Sequence, residues 1–183
     1  MRWMDFEVAA PGLAELGRRR LLEPGVVLVG TLRRDGSPRI SPVEPFLLDG
    51  ELWLSMLWGS HKAQDLMRDP RLLVHSIVTG RDGSEGEYKV RGRGRPEEAR
   101  EVQEKYADAV SAALGWRPTP GRVHLFSVDL DSVSYLRYDD ATGDQFTALW
   151  PQGREFVRRG TGGTSVGPPQ PIDLGLVPSR RRS

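Results

Sequence analysis

Apolar residues in this chain recur mostly at a spacing of two, in short runs separated by Asp-Gly pairs and prolines, which predicts strands joined by tight turns. Residues 26–32 are apolar and β-branched almost throughout, so they read as a strand buried on both faces. Asp35-Gly36 marks a turn, and 39–48 reads as a second strand. Pro42 and Pro45 interrupt it, and because proline cannot donate to a ladder they predict an edge or a bulge there. After Asp49-Gly50, residues 51–57 alternate Leu52, Leu54 and Met56 on one face with Trp53 and Ser55 on the other. Ala63, Leu66 and Met67 then switch to helical spacing, with Ser60 in the N-cap position and Asp69-Pro70 as the stop. Strands follow at 72–79 and 87–95. Pro96-Glu97-Glu98 reads as the start of an amphipathic helix carried by Val102, Tyr106, Ala109, Val110 and Ala113 to Leu114-Gly115. Residues 123–130 and 133–138 read as a hairpin pair, 146–150 as a last strand and 11–22 as a short N-terminal helix stopped by Pro24-Gly25.

This order predicts a mainly β (α+β) fold, an antiparallel barrel or sandwich with a few helices attached, and excludes a repeating βαβ unit. The expected domain covers 1–159. From Gly160 the chain turns rich in glycine, proline and arginine, so 160–183 is expected to be a polar tail, with Leu174, Leu176 and Val177 available as anchors.

Composition narrows the chemistry. Cysteine is absent from the 183 residues, which removes thiolate nucleophiles, disulfides and cysteine-ligated metals. A net charge of +1 gives no support to a nucleic-acid partner. No run approaches the length of a membrane span, and residues 1–10 lack the apolar core of a secretory signal, so a cytoplasmic location is expected. His61, His75 and His124 have no metal-ligand spacing, so no metal is expected. No Gly-x-Ser-x-Gly elbow is present either.

Two stretches offer chemistry. Gly59-Ser60-His61-Lys62 opens a helix, where unpaired N–H groups and the positive dipole end favour an anion; a bare capping serine beside a solvated lysine gives the same pattern. Arg39-Ile40-Ser41-Pro42-Val43 places an arginine and a serine on one face, and Pro42 frees backbone groups; a solvated edge strand reads the same way. Lysine is scarce, with only Lys62, Lys89 and Lys105 against many arginines. Of the five tryptophans, Trp53 and Trp150 read as packing residues, while Trp58, beside the candidate anion loop, is placed to stack on a planar ligand. The basic runs at 18–20, 91/93/95 and 180–182 read as solvated faces.

Taken in order, Asp35-Gly36, Arg39-x-Ser41-Pro42, Asp49-Gly50-Glu-Leu-Trp53, Gly59-Ser60-x-Lys62-Ala63-x-x-Leu66 and Asp69-Pro70-Arg71 resemble the FMN-binding split barrel of the pyridoxamine 5'-phosphate oxidase-like superfamily, which includes deazaflavin-dependent oxidoreductases. The likeness spans about residues 20–140. It implies an antiparallel six-stranded split β-barrel with a few flanking helices, and an FMN-dependent oxidoreductase acting on a small molecule. It further implies that Arg39 and Lys62 contact the cofactor phosphate beside Ser60 and His61, that Ile40, Ser41, Pro42 and Val43 run along the ring, and that Ser55 and Met56 line the phosphate and ribityl side. A homodimer with cofactor sites at its interface is implied too, with Lys89, Arg91 and Trp150 lent across it. The Arg-Leu-His substrate motif of authentic pyridoxamine-phosphate oxidases is missing, which argues against that substrate. Catalytic residues stay unassigned. The alternatives are a deazaflavin coenzyme, whose acidic tail would call on Arg39, Arg91 and Arg93, and a non-catalytic flavin or haem binder, with His75 or His61 as axial ligand.

Overall fold

A computed structural model describes residues 1–178. Ten antiparallel strands form one curved sheet with four α-helices around it: α1 (Trp3–Ala9), α2 (Pro11–Gly17), β1 (Val27–Leu32), β2 (Pro38–Val43), β3 (Pro45–Leu48), β4 (Glu51–Leu57), α3 (His61–Arg68), β5 (Arg71–Ser76), β6 (Glu87–Glu97), α4 (Arg100–Leu114), β7 (Val123–Tyr138), β8 (Gln145–Trp150), β9 (Arg154–Arg158) and β10 (Gln170–Pro171). The strands run in the order β10-β9-β8-β7-β6-β5-β1-β2, and β4, with β3 beyond it, joins along the other edge of β7. The predicted α+β class holds, with ten strands in place of six.

The prolines explain the division of the second strand. Pro42 and Pro45 flank Glu44, where the chain leaves β1 and turns to pair with β4. Asp49 and Gly50 both carry positive φ, 53° and 74°, as a two-residue hairpin turn demands. Leu52, Leu54 and Met56 point into the main core with Val27, Val29, Val74, Val90 and Phe126. Trp53 points the other way, into a small second core with Tyr106 and Val110 of α4.

Two sequence readings need correction. The first concerns Pro96 and Glu97, which finish β6, paired with Phe126 and Leu125, rather than starting a helix. α4 begins at Arg100 after Ala99, and Glu97 serves that helix from outside: its carboxylate accepts the Ala99 N–H at 2.8 Å and its carbonyl the Gln103 amide at 2.7 Å. Gly115 closes the helix in the left-handed conformation as expected, φ 74°.

The second concerns the presumed hairpin at 123–138, which is one strand of 16 residues. Beyond Leu125, which reaches the second core, its buried positions are Phe126, Val128 and Leu130, then Val133 and Tyr135, so the alternation changes parity midway. A chain reversal was the natural reading of that change. The structure achieves it with a β-bulge: Arg91 pairs with Ser132 and Gly92 with Leu130, leaving Asp131 as the extra residue. Gly92 is required there, since a Cβ would stand 2.3 Å from the Asp129 carbonyl oxygen.

Helix α1 and strands β9 and β10 carried no periodic signal strong enough to predict. α1 packs Trp3 and Phe6 against the core, with Phe6 edge-on to Trp150 at 5.0 Å. The helix predicted over 11–22 tightens differently at its end: α2 runs into a π-helical turn at Arg18–Leu22. The strand predicted over 72–79 is β5, Arg71–Ser76, which ends before the glycine-rich loop.

Residues 160–178 run back along the sheet. β10 pairs with β9, and the Leu176 carbonyl accepts the Leu13 N–H at 2.9 Å. Glu155 of β9 fastens this strap: its carboxylate accepts the N–H groups of Leu174, Leu176 and Val177. Val177 is buried and Leu176 packs beside it, two of the three anticipated anchors. The arginines 180–182 lie outside the described residues. Hydrogen bonds to an ionised acceptor contribute about 1.5–3 kcal/mol, so Glu155→Ala is expected to cost about 2 kcal/mol in denaturant unfolding and to open the 160–178 segment to limited proteolysis. An unchanged cleavage pattern would show that side-chain packing alone holds the strap.

Candidate functional site

The turn between β4 and α3 carries the chemistry. β4 ends at Leu57, Gly59 turns the chain with φ 70°, and Ser60 stands at the N-cap of α3. Ser60 does not cap the helix with its side chain, contrary to the usual role of a serine there. Its hydroxyl oxygen is buried and has no hydrogen-bond partner. Such orphans are rare and mark a strained or functional position.

Lys62, the second residue of that helix, follows two positions on. Its ammonium donates to the Pro42 carbonyl of β2 at 2.7 Å, and burial pushes it below its ordinary pKa, with no carboxylate opposing the shift. The other two lysines are neutralised: Lys89 pairs with Glu87 and Lys105 with Asp49, both at 2.7 Å. Lys62 faces a cleft of about 490 Å³ formed with Pro42, Val43, Ser55, Met56 and Trp116, within the range of small-molecule sites; Glu44 also lines it but forms no ion pair with Lys62. At its base the Ser55 hydroxyl bonds to the buried Tyr106 phenol, whose pKa rises to about 12, chiefly through burial.

Arg39 is directed elsewhere. It faces inward from β2, and its Nε donates to the Asp65 carboxylate of α3 at 2.7 Å. Asp65 also accepts from Arg68 at 3.0 Å and from the Thr31 hydroxyl at 3.1 Å. Burial works to raise the Asp65 carboxyl, but the Arg39, Arg68 and Thr31 hydrogen bonds outweigh it and hold the group below the usual carboxylate range. Arg39 and His61 line a second cavity of about 620 Å³ with Arg33, Arg34 and Arg68. Asp65 carried no signal in the sequence beyond being an acid on a helix. A polar position on the inner side of α3, between Ala63 and Leu66, was the one sign available.

The remaining expected residues divide by face. Ser41 follows Arg39 on the inward side, partly buried, while Ile40 projects outward. Across the sheet Ile40 aligns with Gly30, Leu73 and Arg91, and Pro42 with Leu28, His75 and Lys89. Arg91 is thus three strands from Ile40, about 14 Å at ordinary strand spacing, too far for both to hold one group within a single chain. His75 is satisfied, with one ring nitrogen 2.6 Å from the Ser76 carbonyl and the other 3.2 Å from Glu87. Trp58 is exposed, and its ring lies flat on His124 at 4.4 Å. Trp53 is buried as a packing residue and its indole N–H donates to the Leu48 carbonyl at 3.1 Å. Trp150 is buried against Phe6. Trp116, which sequence reasoning passed over, lines the Lys62 cleft; it follows a glycine in an apolar-poor loop and carried no pattern. Another cavity, of about 750 Å³, lies away from this chemistry, between β9 and the C-terminal strap. Its two carboxylates, Glu155 and Asp173, are already engaged by backbone N–H groups.

The order of strands, the β4–α3 turn and the inward Arg39 can be compared with known families. The sequence profile described as Pyridoxamine 5'-phosphate oxidase matches residues 14–137. The chain belongs to that family. Solved structures similar to this family member include general stress protein 26 from Bacillus anthracis, 22% identical over 66% of this chain and 91% of that one, with a TM-score of 0.51. A NimC/NimA family protein from Clostridium acetobutylicum is 16% identical over 79% and 98% of the two chains, TM-score 0.56. A haem-binding protein from Mycobacterium smegmatis is 19% identical over 73% and 57%, TM-score 0.52. At these identities the structures speak for the fold. No curated protein matches the sequence. Among the described residues no helix of this family member is long and apolar enough to cross a membrane.

Proposed function

We propose that this chain binds FMN at the β4–α3 turn and acts as a flavin-dependent oxidoreductase on a small molecule. One observation carries the reading: a buried, partnerless Ser60 hydroxyl and a cation without a carboxylate, Lys62, sit together at a helix N-terminus, the donor set a phosphate monoester needs. The residues therefore fit the group. Ser60 and Lys62 would hold its phosphate, while His61 and Arg39, which is tied to Asp65, face the second cavity. Backbone at Ile40, Ser41, Pro42 and Val43, together with Ser55, Met56 and Trp116, would flank its ring. When bound, the flavin supplies hydride and electron transfer that amino acids cannot. The chain's own part is to neutralise the phosphate, orient the ring and limit water.

We infer a homodimer, supported by the outward face. Ile40, Leu57 and Trp58 are exposed apolar residues around the cleft, and Lys89 and Arg91 are too distant to complete the site of their own chain, so we place them against the cofactor of a second copy. Trp150, buried against α1, is a weaker lender than its position at the end of a strand suggested.

The second cavity favours one alternative. Arg33, Arg34 and Arg68 exceed what one phosphate requires, and an extended deazaflavin tail would use them. A non-catalytic haem role would fall to His61, since both ring nitrogens of His75 are engaged. Equilibrium titration with FMN, with a deazaflavin coenzyme and with haem, followed by visible absorbance, separates these readings. Stoichiometric FMN uptake is expected; a protein that takes up none of the three sinks the proposal.

A further inference from the structure

The turn that presents Ser60 and Lys62 is latched from outside by a histidine. The Gly59 N–H donates to His124 Nε2 at 3.1 Å. The Gly59 carbonyl accepts from the Gln64 side chain at 2.9 Å, and the Ser60 N–H donates back to Leu57 at 3.1 Å. The imidazole also lies under the Trp58 indole, with ring centroids 4.4 Å apart and planes 2° from parallel, and it has Phe126 on the same side of β7, its centroid 6.4 Å away. His124 itself is pinned in β7, opposite Met56 of β4. Trp58 and Gly59 are thus gripped by one side chain.

A backbone N–H can only donate, so Nε2 must carry a lone pair, and His124 is neutral with its proton on Nδ1. Protonation places a second N–H against the first. The hydrogen bond is lost, and the turn keeps only the Gln64 and Leu57 contacts. We infer that His124 is a positioning residue for the anion site, a proton-sensitive latch whose neutral form holds the Trp58-Gly59 turn in the geometry that offers Ser60 and Lys62 to a phosphate. This rests on the function proposed above and adds a control to it. The charged groups around the imidazole are Glu97 at the end of β6, Glu98 in the following link and Arg100 of α4, which line a cavity of about 290 Å³ with Trp58 and His124. Arg122 adjoins the start of β7 in the sequence, and His61 and Lys62 follow the turn at the start of α3. Glu97 is held by the Ala99 N–H and Arg100 by Glu104.

The test has two arms. In the ligand-free protein, intrinsic fluorescence is followed from pH 8 to 5 in wild type, Trp58→Phe and His124→Gln. Stacking on a newly protonated imidazole should change the Trp58 signal in a single step, and both variants should lack it. In the second arm, FMN affinity is measured over the same range. Wild type should weaken about tenfold on acidification. His124→Gln, whose amide oxygen accepts the Gly59 N–H at every pH, should lose that step while binding FMN at pH 8 within a few-fold of wild type. Absence of the Trp58 step overturns the latch. A Trp58 step with pH-independent FMN affinity, or an unchanged pH profile in His124→Gln, overturns its coupling to the site. No FMN binding at any pH, with the Trp58 step intact, instead overturns the function reading and the coupling that rests on it, leaving the latch itself established.

Discussion

Asp65→Ala should lower the unfolding free energy by about 2–4 kcal/mol, the largest stability effect expected of any single change around the site. Asp65 is 4% exposed and joins three elements at once: Thr31 of β1, Arg39 of β2 and Arg68 of its own helix. Removing one member of a buried ionic cluster leaves the others desolvated without a counter-charge, which costs about 3–5 kcal/mol when all are fully buried. Here the arginine side chains are 22% and 37% exposed, so water recovers part of that cost. For a domain of this size the loss corresponds to a drop in Tm of about 5–15 °C. Calorimetry and urea unfolding measure it directly. The pH dependence has a fixed sign. The folded carboxyl titrates below its unfolded value of about 3.9, so its contribution is fully present above that pH and disappears as pH falls through the folded value. Asp65→Asn should therefore flatten the acid limb of the stability profile. An alanine variant as stable as wild type would mean that Arg39 and Arg68 find equal partners in solvent, and the cluster would be ornamental.

Lys62→Ala is expected to weaken FMN binding by about 10- to 150-fold, the equivalent of about 1.5–3 kcal/mol for one charge-assisted contact. Riboflavin, which carries the same ring without the phosphate, is the control. Its affinity should be almost unchanged, because Lys62 meets the cleft through its ammonium alone and is otherwise bonded to a carbonyl. Equal losses for both ligands would place the phosphate elsewhere and turn attention to Arg39. Arg39→Ala is harder to interpret, since the guanidinium that would touch a ligand also holds Asp65.

Much of this was legible in the residues. The Asp-Gly turns, the Pro42 and Pro45 break and the Ser60-to-Asp69 helix are local signals, and local sterics decide them. Lys62 was legible by scarcity and position. Its isolation from carboxylates was not, since that depends on Glu87 and Asp49 reaching the other two lysines across folded distances. Arg39 shows the converse. Its face was read correctly, but its partner on α3 lies 26 residues away, and no period in the sequence connects them. Gly59 and His124, 65 residues apart, fall under the same rule. The 123–138 segment misled for a different reason: a parity change has two physical solutions, a reversal or a bulge, and the choice was made by Gly92 on the neighbouring strand.

That bulge also governs which changes of length the fold tolerates. Phe126, Val128 and Leu130 face the core on even positions, while Val133 and Tyr135 do so on odd ones, and Asp131 is the residue that reconciles them. Deleting Asp131 alone would leave Ser132 as the single outward residue between Leu130 and Val133, so β7 would become a regular strand with both halves still facing the core and would lose only the local bend of the bulge. A single insertion or deletion elsewhere in 123–138 would instead turn one half of the strand to its other face. In lineage terms, a change of length in β7 is tolerable at the bulge and costly elsewhere along the strand, where it would turn Phe126 or Val133 out of the core.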